Sequence, residues 1–500
     1  MKESCFTRPN LLGNGSPLFC DLYHLTMAQA WFLDGKAEEI KTSEAFFRKC
    51  PFGGSYLVSA GLGEFLQWLK NWHFSPSDID YLRQVRNTDG SLVFNEHFLT
   101  FIAKQKLNLT IRAVHEGELI FPNEPVYSVT GPTWQVDLVE AALLNIFNSQ
   151  SLVATKASRM VYAASLDGYK RPLLEFGLRR GHELGGLSET RAAFIGGACG
   201  TSNTAAAQYY GIPASGTMAH SFVMSYENEI DAFKAFMSAN PHNTTLLVDT
   251  YDTRLGIQHA IQAAKETGIP LMGMRIDSGD LAYWARVARE LIDAEGNNPL
   301  FTHVKLVASN DLDEHLIENL LVVQKAPYDV LAAGTKLVTA YDTPALGGVF
   351  KTKQYLSSPR IKIAEGKTTI PGATDVIRIV RHGLYEGDII CRAADTDFVH
   401  KGKLAQDITS YTCQSLDGKR VTFKAGETAY TLLQTVVDEG QFVISPELNL
   451  FTLQQRTQSS LSCLDSSYKR LANSHLYGVG LEAHLFNLQK DLIQKYLRRN

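Results

Sequence analysis

The run Gly216-Thr217-Met218-Ala219-His220-Ser221-Phe222 follows a short apolar stretch, Gly211–Ser215, and precedes a helical pattern over residues 222–238. That context sets His220 at the C-terminal end of a strand, where open and closed α/β sheets assemble their sites. An imidazole is a nucleophile when neutral and changes charge near pH 7. A histidine that stands alone in apolar surroundings is more often a satisfied core residue. It does not stand alone here. Other short apolar runs deliver Glu175-Phe176-Gly177-Leu178-Arg179-Arg180, Gly196–Asn203, Asp249-Thr250-Tyr251-Asp252, Arg275–Asp280, Ser309-Asn310-Asp311 and Gly334-Thr335-Lys336.

Each of these groups suggests a chemistry. Asp277-Ser278-Gly279-Asp280 places two carboxylates around a tight turn, which can hold a ribose diol or a magnesium-bound diphosphate. The same tetrapeptide also reads as a helix start, with Ser278 as N-cap and Asp280 in the first turn. Asp249 and Asp252 carry the same two readings, cap or magnesium ligand. Arg179 and Arg275 suit bidentate binding of a carboxylate or phosphate, or a surface ion pair. Gly334-Thr335, after the last run, matches the place where barrels bind phosphate through free backbone N–H groups.

The elements that must position these residues form a repeat. Apolar runs at Leu173–Phe176, Ala193–Gly196, Ile212–Ser215, Leu246–Val248, Leu271–Ile276, Val304–Ala308 and Asp329–Ala333 alternate with helical patterns at 202–210, 222–238, 253–266, 279–293 and 311–324. Alternating strand and helix predicts a parallel sheet, curled into an irregular TIM-like (β/α) barrel of seven recognisable strands. Capping accounts for one aspartate at a time; it does not account for seven loops of polar chemistry on one rim.

Around this middle part, residues 146–350, stand two others. Residues 1–145 mix helical spacing at 61–72 with β-branched alternation at 109–129, broken by Gly117 and Pro122. Residues 136–165 read as one long helix. Residues 351–500 return to β-rich patterning, with a polar Gln/Ser-rich surface loop at 454–467 and a basic amphipathic helix at 481–498. The N- and C-terminal segments are expected to build a second, mixed α+β domain together.

Composition narrows the classes. Five hundred residues, 45% hydrophobic and 20% charged, suit two or three folded domains. A net charge of −4 gives no general electrostatic case for nucleic acid or an anionic membrane. No apolar stretch reaches a membrane span, and the first residues lack a signal-peptide core. Seven scattered cysteines without a CxxC pair argue against a disulfide framework or zinc knuckle, so a cytoplasmic setting is expected.

Several segments together resemble the nicotinate phosphoribosyltransferases, type II phosphoribosyltransferases. They are Asp21–Met27, Phe46–Lys49 with Pro51–Gly54, Glu175–Arg180, Gly200–Asn203, Gly211–Pro213, Gly216–Phe222, Val248–Asp252, Arg275–Leu281 and Gly334-Thr335. They span about residues 18–350 in family order. The resemblance implies that nicotinate attacks the anomeric carbon of phosphoribosyl pyrophosphate, giving nicotinate mononucleotide and diphosphate on a salvage route to NAD. It further implies coupling to ATP hydrolysis through a phosphohistidine, with Mg2+ as cofactor.

Residue by residue, the resemblance makes His220 the phosphorylated histidine. Asp249 and Asp277 become catalytic carboxylates and magnesium ligands. Tyr23 and Phe176 become the aromatic pair around the pyridine ring. Arg179, Ser202, Thr217 and Arg275 are assigned to the nicotinate site. Arg48, Lys49, Asp277, Ser278, Gly279, Gly334 and Thr335 are assigned to phosphoribosyl pyrophosphate. The family's counterpart of Tyr23 comes from a neighbouring subunit, which implies a homodimer with shared sites. Two alternatives share the fold: a nicotinamide phosphoribosyltransferase and a non-catalytic sugar-phosphate-binding barrel. Position 202 bears on the first. The nicotinamide enzymes place Asp there to accept the amide NH2, and Ser202 lacks the charge that would repel nicotinate. Quinolinate phosphoribosyltransferases are shorter and lack the His220 motif. The retained His220, Asp277, Asp280 and Tyr23 speak against the non-catalytic barrel.

Overall fold

A computed structural model describes residues 15–182, 185–365, 367–412, 419–444 and 449–497. Its centre is a six-stranded parallel sheet in the order Gly200–Thr201, Leu173–Glu175, Val330–Ala333, Lys305–Ala308, Gly273–Ile276, Thr245–Leu247. A parallel bridge from Thr201 to Ala214 adds the segment around Ile212–Ser215 as a seventh position. The strands are short, and Val330, Leu331, Ala332 and Ala333 are all buried, the pattern of a strand covered on both faces. The result is the irregular barrel expected from the alternation.

Helices follow the strands and explain much of the acidic rim. Asn203, Asn228, Asp252, Asp280 and Asp313 each cap a helix, accepting from the backbone N–H of Ala206, Asp231, Leu255, Tyr283 and Leu316. Capping therefore occupies Asp252 and Asp280. It is Asp280, not Ser278, that forms the N-cap of helix Leu281–Asp293. Asp249 and Asp277 cap nothing.

Four expected elements differ. Ala193–Gly196 is not a strand; Ala193, Phe194 and Ile195 are the last buried turn of helix Gly185–Ile195. A four-residue apolar run carries no period, and the buried ion pair made by Arg191 holds this one as helix. The helix expected over 222–238 is two, His220–Val223 and Glu229–Ala239, because Asn228 starts a new cap. The one expected over 136–165 divides into Thr133–Leu138 and Glu140–Ala163. The expected surface loop at 454–467 falls largely within helix Leu450–Ser462. Leu450, Leu453, Thr457 and Ser460 form its buried stripe, a helical period written partly in small polar residues.

The N- and C-terminal parts interleave in a seven-stranded antiparallel sheet. Ile40–Phe47 lies between Gly348–Tyr355 and Tyr127–Pro132, and Thr110–Val114 pairs with Leu433–Asp438. Residues 374–482 contribute a further eight-stranded sheet around the hairpin Thr374–Arg381 and Leu384–Arg392. Helix Glu140–Ala163 lies between these sheets and the barrel. Its Lys156 and Arg159 meet Glu314 at 2.6 and 2.8 Å, all three nearly fully buried. Glu116 meets Arg191 through two bonds of 2.7 Å. These ion pairs tie the barrel to its neighbours.

Candidate active site

The C-terminal ends of the barrel strands enclose a cavity of about 560 Å3. Eight of the expected residues line it: Phe176, Arg179, Ser202, Thr217, Arg275, Asp277, Gly334 and Thr335. They arrive from separate strand ends far apart in the chain, which is how a parallel barrel concentrates chemistry.

Arg275 is the most unusual group. Its guanidinium donates to Thr217 Oγ1 at 3.1 Å, while its Nε is buried without a hydrogen-bond partner. Burial pulls its acidity constant below the ordinary arginine value, opposed by the charges of Asp277 and Asp249 and reinforced by Arg179. No carboxylate among the described residues forms an ion pair with it. A desolvated cation with an idle donor beside a second arginine makes a site for an anion. Phe176 and Ser202 on the same cavity add a flat apolar surface and a neutral hydroxyl.

Asp249 and Asp277 act as a unit. Asp249 Oδ2 accepts from the backbone N–H of Asp277 at 3.0 Å and from Ser278 Oγ at 2.5 Å. Asp249 Oδ1 is buried with no hydrogen-bond partner. Asp277 Oδ1 accepts from Ser309 Oγ at 2.5 Å, and Asp277 Oδ2 lies 3.9 Å from His220 Nε2. His220 begins its short helix beside Ala219 of the cavity wall, and its Nδ1 lies 3.1 Å from Thr250 Oγ1. The imidazole is thus anchored at one nitrogen and presents the other toward Asp277. Gly279, at φ +73°, makes the left-handed turn that brings Asp277 and Ser278 round to Asp249.

Three family models match in sequence: the nicotinate phosphoribosyltransferase N-terminal domain at residues 18–148, the nicotinate phosphoribosyltransferase family at 172–342, and its C-terminal domain at 374–489. The nicotinate phosphoribosyltransferase of Bacillus subtilis is 38% identical, covering 96% of each chain. The human one is 32% identical over 97% of this chain and 98% of its own. The chain belongs to the nicotinate phosphoribosyltransferase family. The crystal structure of human nicotinic acid phosphoribosyltransferase superposes with a TM-score of 0.81 at 27% identity, over 94% of this chain and 99% of that one.

Within this family fold, Tyr23, Arg48 and Lys49 do not line the cavity of their own chain. Tyr23 stands half-exposed on helix Leu22–Leu33, its ring centroid 4.0 Å from that of His24. The Arg48 guanidinium sits 5.2 Å over the Phe46 ring at the end of the strand Ile40–Phe47. Ser278 and Gly279 are exposed and outside the lining, and Ser278 Oγ reaches Asp249.

Sequence reasoning assigned no site role to several lining residues, Met218, Ser309, Asn310 and Asp311 among them. Asn310 and Asp311 both have positive φ, 84° and 46°, a turn that points their side chains at the cavity. An Asn-Asp pair directly after a strand was the available signal. Thr250 was missed as well, because its contact with His220 spans thirty residues.

Proposed function

We propose that this chain joins nicotinate to the phosphoribosyl group of phosphoribosyl pyrophosphate, releasing diphosphate, and couples that step to ATP hydrolysis through phosphorylation of His220. The observation that carries the reading is the half-buried Arg275, which has no carboxylate partner among the described residues and an idle, buried Nε, beside Phe176 and Ser202. A planar aromatic anion satisfies all three: its ring packs on Phe176, its carboxylate meets Arg275, and Ser202 sets no negative charge against it. An amide would leave the cation uncompensated, which favours nicotinate over nicotinamide.

The ring nitrogen of nicotinate attacks the anomeric carbon as the bond to diphosphate breaks, so positive charge develops on the ribose. The Asp277 carboxylate lies on the cavity wall to stabilise that charge, held by the Ser309 hydroxyl. In the coupled step His220 Nε2 attacks the γ-phosphorus of ATP, ADP leaves, and water later cleaves the phosphoramidate. Thr250 favours the required tautomer if Nδ1 carries the proton and donates to its hydroxyl, which leaves the Nε2 lone pair free. Gly334 and Thr335 receive the ribose phosphate, while Asp277 can accept from the ribose hydroxyls. A Cβ at position 334 would press on the carbonyl of Phe176 at 3.2 Å, so glycine keeps that approach open.

Magnesium fits the residues present. Asp249 offers a buried oxygen without a partner, and Asp277 a second hard donor. Two carboxylates would leave the rest of the shell to water and substrate phosphate, the way magnesium is commonly held. Bound there, the ion would neutralise charge on the diphosphate. Tyr23, Arg48 and Lys49, away from their own cavity, suit a homodimer in which each protomer completes its partner's site.

The test offers nicotinate and nicotinamide in parallel with phosphoribosyl pyrophosphate, magnesium and ATP. The expected result is nicotinate mononucleotide with ATP-stimulated turnover. His220→Ala should lose both the stimulation and the acid-labile phosphoenzyme; a normal phosphoenzyme in that variant would move the phosphate elsewhere. Nicotinamide mononucleotide as the product would overturn the reading of Ser202, and no product from either would return the chain to a binding role.

A further inference from the structure

Glu175 ends the strand Leu173–Glu175 and is 1% exposed, yet no ion pair compensates it among the described residues. Its carboxylate is instead surrounded by donors. Oε1 accepts from the backbone N–H of Gly177. Oε2 accepts from Thr201 Oγ1 at 2.6 Å and faces Thr190 Oγ1 at 2.9 Å. Its backbone carbonyl accepts from the N–H of Ser202 at 3.0 Å. One residue therefore grips both chain segments that line the base end of the cavity: the bend carrying Phe176 and the turn carrying Ser202.

The grip continues outward. Thr201 Oγ1, donating to Glu175, accepts from the N–H of Asn203 at 2.9 Å, and Asn203 caps helix Thr204–Tyr210. The N–H of Phe176 donates to the carbonyl of Ala333, next to Gly334. At Gly177 even a methyl group would overlap Val338, so the Phe176 bend has no slack in which to re-form.

We infer that Glu175 is a positioning residue for base recognition: without lining the cavity, it sets the spacing between the Phe176 ring and Ser202, and through it the preference for an acid over an amide. This rests on the reading of Phe176 and Ser202 as the base site. The physical requirement is a group that accepts at both ends. A carboxylate does so. The amide of Glu175→Gln keeps the volume but turns an NH2 toward either the Gly177 N–H or the threonine hydroxyls. A backbone N–H cannot accept, so the NH2 must face the threonines; Thr190 can still donate to the Gly186 carbonyl at 2.8 Å, but the Thr201 O–H then loses its acceptor.

The experiment compares wild type, Glu175→Gln and Thr201→Val, each with nicotinate, nicotinamide and phosphoribosyl pyrophosphate varied in turn. Glu175→Gln should raise KM for nicotinate about tenfold, the scale of one buried donor left unmet. KM for phosphoribosyl pyrophosphate should stay within about twofold, and the acid-to-amide ratio of kcat/KM should fall, because the lost contact acts on base geometry. Thr201→Val removes one donor from the other side and should give the same split, smaller; it also keeps the test alive if Glu175→Gln does not fold. Equal changes in both KM values, or an unchanged acid-to-amide ratio in both variants, would make Glu175 merely structural and overturn the proposal. Failure of the wild type to use nicotinate would instead remove the base-site reading, and this inference with it.

Discussion

Two arginines, one buried and one half-buried, show how differently this molecule treats the same side chain. Arg191, on helix Gly185–Ile195, forms a two-pronged bond with Glu116, and its Nη1 also reaches Gln150 at 2.9 Å. Glu116 in turn accepts from the backbone of Gly61 and Gly63 at 2.5 and 3.0 Å. Both terminal nitrogens are matched, and Arg191 is held charged well above the ordinary arginine value, chiefly by Glu116 acting against burial. Arg275, on the barrel rim, has one hydroxyl partner and an idle Nε. A saturated cation joins elements; an unsaturated one waits for a ligand. On the proposed reading, the cost of leaving the Arg275 Nε buried without a partner is recovered when nicotinate binds.

The largest effect should come from breaking the saturated pair. Arg191→Met strands the Glu116 carboxylate and should cost about 3–5 kcal/mol of stability in denaturant unfolding. Activity per folded molecule should survive, since Arg191 does not line the cavity.

Arg275→Met should reverse that profile. Loss of a charge-assisted bond to nicotinate predicts a drop in kcat/KM of about 2–4 kcal/mol, roughly 30- to 900-fold. The melting temperature should not fall, because no protein carboxylate loses its partner. A large stability loss would mean that Arg275 is structural after all.

Ser202→Asp sharpens the comparison from the ligand side. A carboxylate in the same cavity would compete for the positive charge of Arg275, and the preference for nicotinate over nicotinamide should fall about tenfold, near 1.4 kcal/mol. An unchanged ratio would remove position 202 as a selector.

The smallest effect is in pH. The Arg191 charge and the Gly61 and Gly63 N–H groups hold Glu116 below its ordinary value of 4.5 despite burial. A depressed folded-state value means that its stabilisation is fully present above pH 4.5 and is lost as pH falls through the lower folded value. Unfolding free energy measured downward from pH 5 should therefore decline in wild type. In Arg191→Met this contribution should be absent, because burial without the cation favours the protonated acid.

The difference between the two arginines was not legible in the chain. Arg275 stood out because it follows a short apolar run and precedes Asp277-Ser278-Gly279-Asp280. Arg191 lay next to Ala193–Gly196, which was read as a strand, so its pairing with Glu116, seventy-five positions away, had no local trace. Asp249, Asp252, Asp277 and Asp280 looked alike as acids near helix starts. Only backbone direction separated the two that cap helices from Asp277, which faces His220, and Asp249, which holds the Asp277 backbone N–H. The Gln/Ser-rich helix Leu450–Ser462 was missed because small polar residues fill its buried stripe.

By itself, the sequence determined the alternation of strand and helix, and with it the rim on which Phe176, Ser202, Thr217, Arg275, Asp277 and Gly334 had to gather. Strand ends follow from local apolar runs, and a parallel sheet places all such ends on one side. Tertiary structure alone decided which polar atoms were left without partners. That Arg275 Nε and Asp249 Oδ1 remain open while Arg191 and Glu116 are closed depends on what packs against them from distant parts of the chain, and hydrogen-bond saturation is a property of that packing.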